Sequence, residues 1–166
     1  MGQITKKLNY TSQKQLCRDT QNYTDFTDTV LIAISNGDDD FLPEYEKIFD
    51  DVLVIKFMDT QIKNHPRAMK RHHATKIKDF ILKYADKNIL IQCDQGESRS
   101  VAVVCAVHRY RHELRKELLL WYNPRQHPNI LVYSLMCKAF GIKFPMTRFR
   151  HFLNRYALKR KINMHK

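Results

Sequence analysis

Between Asn88 and Val104 the chain passes from the apolar stretch Asn88-Ile89-Leu90-Ile91 through the polar stretch Cys93-Asp94-Gln95-Gly96-Glu97-Ser98-Arg99-Ser100 into Val101-Ala102-Val103-Val104. The first stretch is continuously apolar rather than alternating, as in a strand covered on both faces. The second opens a helix predicted from about Arg99 to Glu113, apolar on every side for its first turns and therefore buried. A buried strand leading through a short loop into a buried helix is the building unit of a parallel sheet, whose strands need helical crossovers. Thr29-Val30-Leu31-Ile32-Ala33-Ile34, closed by Ser35-Asn36-Gly37-Asp38, supplies a second buried strand, and Asp51-Val52-Leu53-Val54-Ile55-Lys56-Phe57, ending at Met58-Asp59-Thr60, a third.

The remaining segments fit around these strands. Lys7–Tyr10 is predicted as a short edge strand, Gln13–Arg18 as a helical turn and Pro43–Phe49 as a short helix. Pro66 suits the first turn of a helix on which Met69, His73, Ile77, Phe80, Ile81 and Tyr84 share one face. His72 and His73 have no matching ligand pair and are read as a solvated or half-buried face of that helix. Ile130–Phe140 is predicted helical and stopped by Gly141, and a last basic helix is predicted over about 147–161. The expected fold is α/β: a single domain over 1–166, its core at about 30–142, with a mainly parallel sheet of about four or five strands flanked by helices.

Composition narrows the setting. Cys17, Cys93, Cys105 and Cys137 are scattered and form no CxxC pair, which argues against a zinc site or a disulfide framework and suits a reducing cytoplasm. No run approaches the length of a membrane span, and the start of the chain lacks the apolar segment of a secretory signal. The net charge of +12 is unevenly placed: from Leu118 onward there are ten Lys or Arg and no Asp or Glu. Such a basic C-terminal third attracts polyanions, RNA and phosphoinositides among them, without choosing one.

The polar stretch carries the chemistry. A helix N-terminus offers unpaired N–H groups and a partial positive charge, so it favours a bound phosphate and raises the thiolate fraction of a nearby cysteine. Five residues separate Cys93 from Arg99, enough for backbone to curl around one tetrahedral oxyanion while the guanidinium clamps two of its oxygens. Cys105 and Cys137, within apolar helical runs, are expected to be plain core residues.

These residues resemble the HCxxGxxR[ST] loop of cysteine-dependent protein tyrosine and dual-specificity phosphatases, including the interior Gly96 and the hydroxyl of Ser100 after the arginine. Upstream, Phe57-Met58-Asp59-Thr60-Gln61 looks like the acid loop of dual-specificity phosphatases. Downstream, Asn123-Pro124-Arg125-Gln126-His127-Pro128-Asn129 looks like the Pro-Asn segment of small bacterial and phage predicted tyrosine phosphatases. The resemblance covers about residues 30 to 142. It implies Cys93 as nucleophile, Arg99 and the backbone of Asp94, Gln95, Gly96, Glu97 and Ser98 as phosphate holders, Ser100 as a donor to the sulfur, and Asp59 as general acid and base. Asp38, Asp39 and Asp40 stand in reserve for the acid. Gln92 and Asn129 are assigned support of the loop. No metal or cofactor is implied, and a phosphorylated protein is the expected substrate.

The loop also departs from the family pattern. Gln92 stands where a histidine is usual, and Asp94 and Glu97 add negative charge beside an anion site. Their side chains are expected to point away, as variable loop positions do, and to disfavour highly charged substrates at the loop mouth. Two other readings start from the basic C-terminal third. One is an RNA 5′-triphosphatase or phosphoinositide phosphatase using the same loop; the other is a catalytically inactive module that binds anions or nucleic acid.

Overall fold

The computed structural model describes residues 7–22, 25–37, 45 and 47–143. The predicted helix at 147–161, most of the basic residues after Leu118, the reserve acids Asp38, Asp39 and Asp40, and residues 43, 44 and 46 of the predicted 43–49 helix lie outside them. Within them the order is β1 (Leu8–Ser12), α1 (Gln13–Gln21), β2 (Thr29–Ser35), β3 (Val52–Lys56), α2 (Arg71–Lys83), β4 (Asn88–Cys93), α3 (Arg99–Tyr110), α4 (Leu114–Tyr122) and α5 (Ile130–Ala139).

The strands form one sheet in the order β1-β4-β2-β3, and every pairing is parallel. Because all strands run the same way, their C-terminal ends lie along one edge of the sheet. That edge is where α/β folds place ligands, since the loops there can converge. Register aligns Ser12 with Cys93 and Ile34 with Cys93, so the end of β4 sits between the ends of its two neighbours.

Side chains alternate between the two faces of the sheet. Val30, Ile32 and Ile34 of β2, with Ile89, Ile91 and Cys93 of β4, face the main core, built with residues of α2, α3, α4 and α5. Leu31 and Ala33 face a smaller cluster with Leu16 of α1, Tyr45 and Phe49, and Leu90 packs against that cluster. The two-sided covering explains why the strands lack a polar face. Every residue of α3 from Arg99 to His108 is buried, as its apolar composition predicts.

One helix start differs from expectation. Helix α2 starts at Arg71 rather than at Pro66. Residues 66–69 instead form a turn in which the Arg67 carbonyl accepts from Met58 N and Ala68 N donates to the His65 carbonyl. His73 then helps to start the helix, its Nδ1 accepting from Lys70 N at 3.1 Å. Burial and the cations around it hold the His73 imidazole neutral, with its pKa lowered to about 4.

A buried ion pair joins α3 and α4. Glu117 is fully buried; Arg109 Nε lies 2.7 Å from Glu117 Oε2, and Tyr133 OH of α5 donates to Glu117 Oε1 at 2.6 Å. A buried carboxylate is tolerated only with such partners, and together they tie three helices. Burial pushes the Cys105 thiol well up and that of Cys137 to about 11, so both behave as the core residues expected.

Candidate active site

The loop after β4 is built on Gly96. Its φ is +68°, in the region that favours glycine, and a Cβ there would lie 2.6 Å from Ser12 N and 2.7 Å from the Thr11 carbonyl carbon. Backbone atoms at the end of β1 cannot yield as a flexible side chain would. Gly96→Ala is therefore expected to cost about 1–3 kcal/mol of stability, read from urea unfolding; an unchanged midpoint would show that the loop does not press on β1.

Three loop carbonyls are already engaged: Asp94 O accepts from Gln13 N, Glu97 O from His127 N, and Ser98 O from Ala102 N and Asn129 N. Among the described residues, no amide of 94–98 donates a backbone hydrogen bond outside the strands and helices. The loop thus turns three of its five carbonyls outward to partners while none of its amides is so engaged, a pattern suited to an anion nest.

Cys93 ends β4 and is buried, with Sγ 3.1 Å from the Ser100 hydroxyl. Arg99 is the first residue of α3 and only 2% exposed. Its Nη1 donates to the Phe57 carbonyl at 2.8 Å and to Asn36 Oδ1 at 3.1 Å, while Nη2 lies 2.8 Å from Asp94 Oδ2. Arg99 Nε and Asp94 Oδ1 are buried without a hydrogen-bond partner among the described residues. Glu97 and Gln95 are exposed, as expected of variable loop positions. Asp94 corrects that expectation: its carboxylate turns inward, because a buried guanidinium requires a counter-charge and Asp94 is the acid beside it.

Asp59 follows β3 at the same edge of the sheet. Its Oδ1 accepts from the Ser98 hydroxyl at 2.9 Å and from Asn129 Nδ2 at 2.7 Å. Asn129 is itself buried; its Nδ2 also donates to the Thr60 carbonyl at 3.2 Å, and its Oδ1 caps α5 by accepting from Val132 N at 3.1 Å. One side chain therefore joins the 57–60 segment to the start of α5. Gln92 is buried in register with Thr11 and Ala33, on the sheet face opposite Cys93.

The structure thus brings together Cys93, Arg99, Ser100, Asp59 and Asn129, with the loop from Asp94 to Ser98 between them. Asn36 and the Phe57 carbonyl are contributions that the sequence reading missed. A signal existed in each case, since Asn36 lies in the turn that closes one predicted strand and Phe57 is the last residue of another.

This α/β fold is that of protein tyrosine and dual-specificity phosphatase-like structures. Neither a family model nor the sequence of a curated protein matches this chain. Solved structures do match it. Tk-PTP in its active form is similar at a TM-score of 0.58 and 20% identity, over 83% of this chain and 94% of that one. PTPMT1 in complex with PI(5)P is similar at 0.56 and 12%, over 90% and 97%. The human tyrosine phosphatase-like serine/threonine/tyrosine-interacting protein is similar at 0.52 and 19%, over 79% and 85%. At such identities the likeness establishes the fold.

Proposed function

We propose that this chain is a cysteine-dependent phosphatase that hydrolyses phosphate monoesters, phosphotyrosine foremost and phosphoserine or phosphothreonine beside it, through a phosphocysteine intermediate. The observation that carries the reading is Cys93 Sγ, 3.1 Å from the Ser100 hydroxyl, at the foot of a loop closed by the buried Arg99. The fold shared with Tk-PTP and PTPMT1 supports it.

In the first step the Cys93 thiolate attacks phosphorus in line. An S–P bond forms as the bond to the leaving oxygen breaks, and Asp59 gives that oxygen its proton. In the second step water attacks phosphorus, the Asp59 carboxylate takes the water proton, and the S–P bond breaks. Ser100 donates to the departing sulfur, which leaves as thiolate. Arg99 and the free loop amides hold the equatorial oxygens throughout, so positive charge and N–H dipoles are in place before the charge moves. The Ser98 and Asn129 contacts keep Asp59 at the loop, which suits a group that must act in both steps.

Acid quenching during turnover of a radiolabelled phosphotyrosine peptide is expected to trap label on the peptide containing Cys93. Turnover without trapped label, in a quench faster than the turnover time, would overturn the covalent route. Phosphotyrosine peptide, 5′-triphosphate RNA and phosphoinositide assayed side by side are expected to rank in that order of kcat/KM. A first place for either polyanion would move the substrate to the class suggested by the basic C-terminal third. That PTPMT1 was crystallised with PI(5)P makes the phosphoinositide arm worth including.

A further inference from the structure

Arg99 has five N–H bonds to place in a buried setting, as any guanidinium does. Three have acceptors: both on Nη1, through the Phe57 carbonyl and Asn36 Oδ1, and one on Nη2, through Asp94 Oδ2. The Nε–H has none among the described residues, although it is buried. Asn36 also donates from Nδ2 to Asp94 Oδ2 at 2.5 Å, so Asn36, Asp94 and Arg99 close a ring of contacts. Asn36 is held in turn from outside, its carbonyl accepting from Arg67 Nη2.

We infer that Asn36 and Asp94 are positioning residues: they grip the far edge of the Arg99 guanidinium so that its side edge, Nε–H with the adjacent Nη2–H, faces an oxyanion as a bidentate fork. The inference rests on the reading that Arg99 holds a phosphoryl group. An unpaired buried donor is unfavourable, and a phosphate oxygen at the side edge would satisfy it with a charge-assisted bond. A guanidinium free to rotate would lose the alignment of both bonds at once, and small misplacements of such clamps are costly in rate. The grip also gives Asp94 a use that outweighs the repulsion expected from a carboxylate inside an anion loop. Its charge is directed at the arginine and shared with an amide donor.

The test is a double-mutant cycle in the full chain, read by p-nitrophenyl phosphate kinetics and by calorimetric binding of inorganic phosphate to Cys93→Ser protein. Asn36→Ala and Asp94→Ala are each expected to weaken phosphate binding about 5–20-fold and kcat/KM about 10–100-fold. Asp94→Asn keeps an oxygen for Nη2 and Asn36 and is expected to stay within about threefold of the parent protein. Because both residues act through the arginine, Asn36→Ala in an Arg99→Lys background is expected to add less than about twofold. Equal losses in the two backgrounds, no loss in either, or failure of Asp94→Asn to rescue would overturn the inference.

The two readouts separate the possible failures. Weakened phosphate binding with no turnover in any variant would leave the grip standing and remove the phosphatase reading. Normal turnover with phosphate binding unaffected by Asn36→Ala would do the reverse. No phosphate binding in any variant would overturn the inference outright.

Discussion

Replacing Cys93 by serine is expected to lower kcat for phosphate-ester hydrolysis by at least about 10³-fold, roughly 4 kcal/mol of transition-state stabilisation. The physical reason is that a serine hydroxyl at this position has no base to deprotonate it. The side chain hydrogen-bonded to the sulfur is Ser100, at 3.1 Å and itself a hydroxyl. A thiol needs less help, since thiols are far more acidic than hydroxyls and the thiolate is the stronger nucleophile. The exchange is nearly isosteric, so inorganic phosphate is expected to bind the variant within a few-fold of the parent. Steady-state assay with p-nitrophenyl phosphate, with phosphate binding as the control for an intact loop, checks both parts. Parent protein that turns over no phosphomonoester, or a serine variant as active as the parent, would remove the proposed function.

The second large effect is expected at Asp59. Asp59→Asn retains an oxygen that can accept from Ser98 and Asn129, so the segment stays where it is, but the proton to be donated is lost. The expected fall in kcat is about 10²–10⁴-fold for phenyl phosphate, whose leaving oxygen must be protonated as it departs. A much smaller fall is expected for p-nitrophenyl phosphate, whose leaving group is a stable anion. KM should change little. Equal losses for the two esters would assign the general acid elsewhere, with Asp38, Asp39 and Asp40 the first positions to examine by the same pair of substrates.

The contact partners of Asp59 also explain why the second prediction is sharper than sequence spacing allows. An aspartate after a buried strand has many ordinary uses, such as capping a turn. What distinguishes Asp59 is that Ser98, from the loop, and Asn129, seventy residues along the chain, both donate to the same oxygen. The expected loop-supporting role of Asn129 gains a geometry from this: it touches Asp59 and Thr60 with one nitrogen and the start of α5 with its oxygen. Gln92, given the same expectation, lies on the opposite sheet face from Cys93, so any effect on the loop would pass through the backbone of β4.

Most of the fold was legible because its signals are local. Continuous apolar runs at 29–34, 51–57 and 88–91 mark strands covered on both faces, and the structure places β2, β3 and β4 there. Register and strand order were not legible, since every buried run is as apolar as the next. The start of α2 was misplaced because Pro66 suits a tight turn as well as a helix start, and only the contact between Met58 N and the Arg67 carbonyl decides between them.

By itself the sequence determined an α/β chain with a thiol and an arginine separated by five residues that include a glycine. Strand and helix periodicity and the conformational demand at Gly96 are properties of short segments. Only the tertiary structure decided how the arginine is held and which side chains hold the acid. Those contacts join Asn36, Phe57 and Asp59 to the 94–99 loop, and Asn129 to Asp59, across 39 to 70 residues of chain. They exist because parallel strands end along one edge, where side chains from separate loops meet a buried charge that cannot remain unpaired.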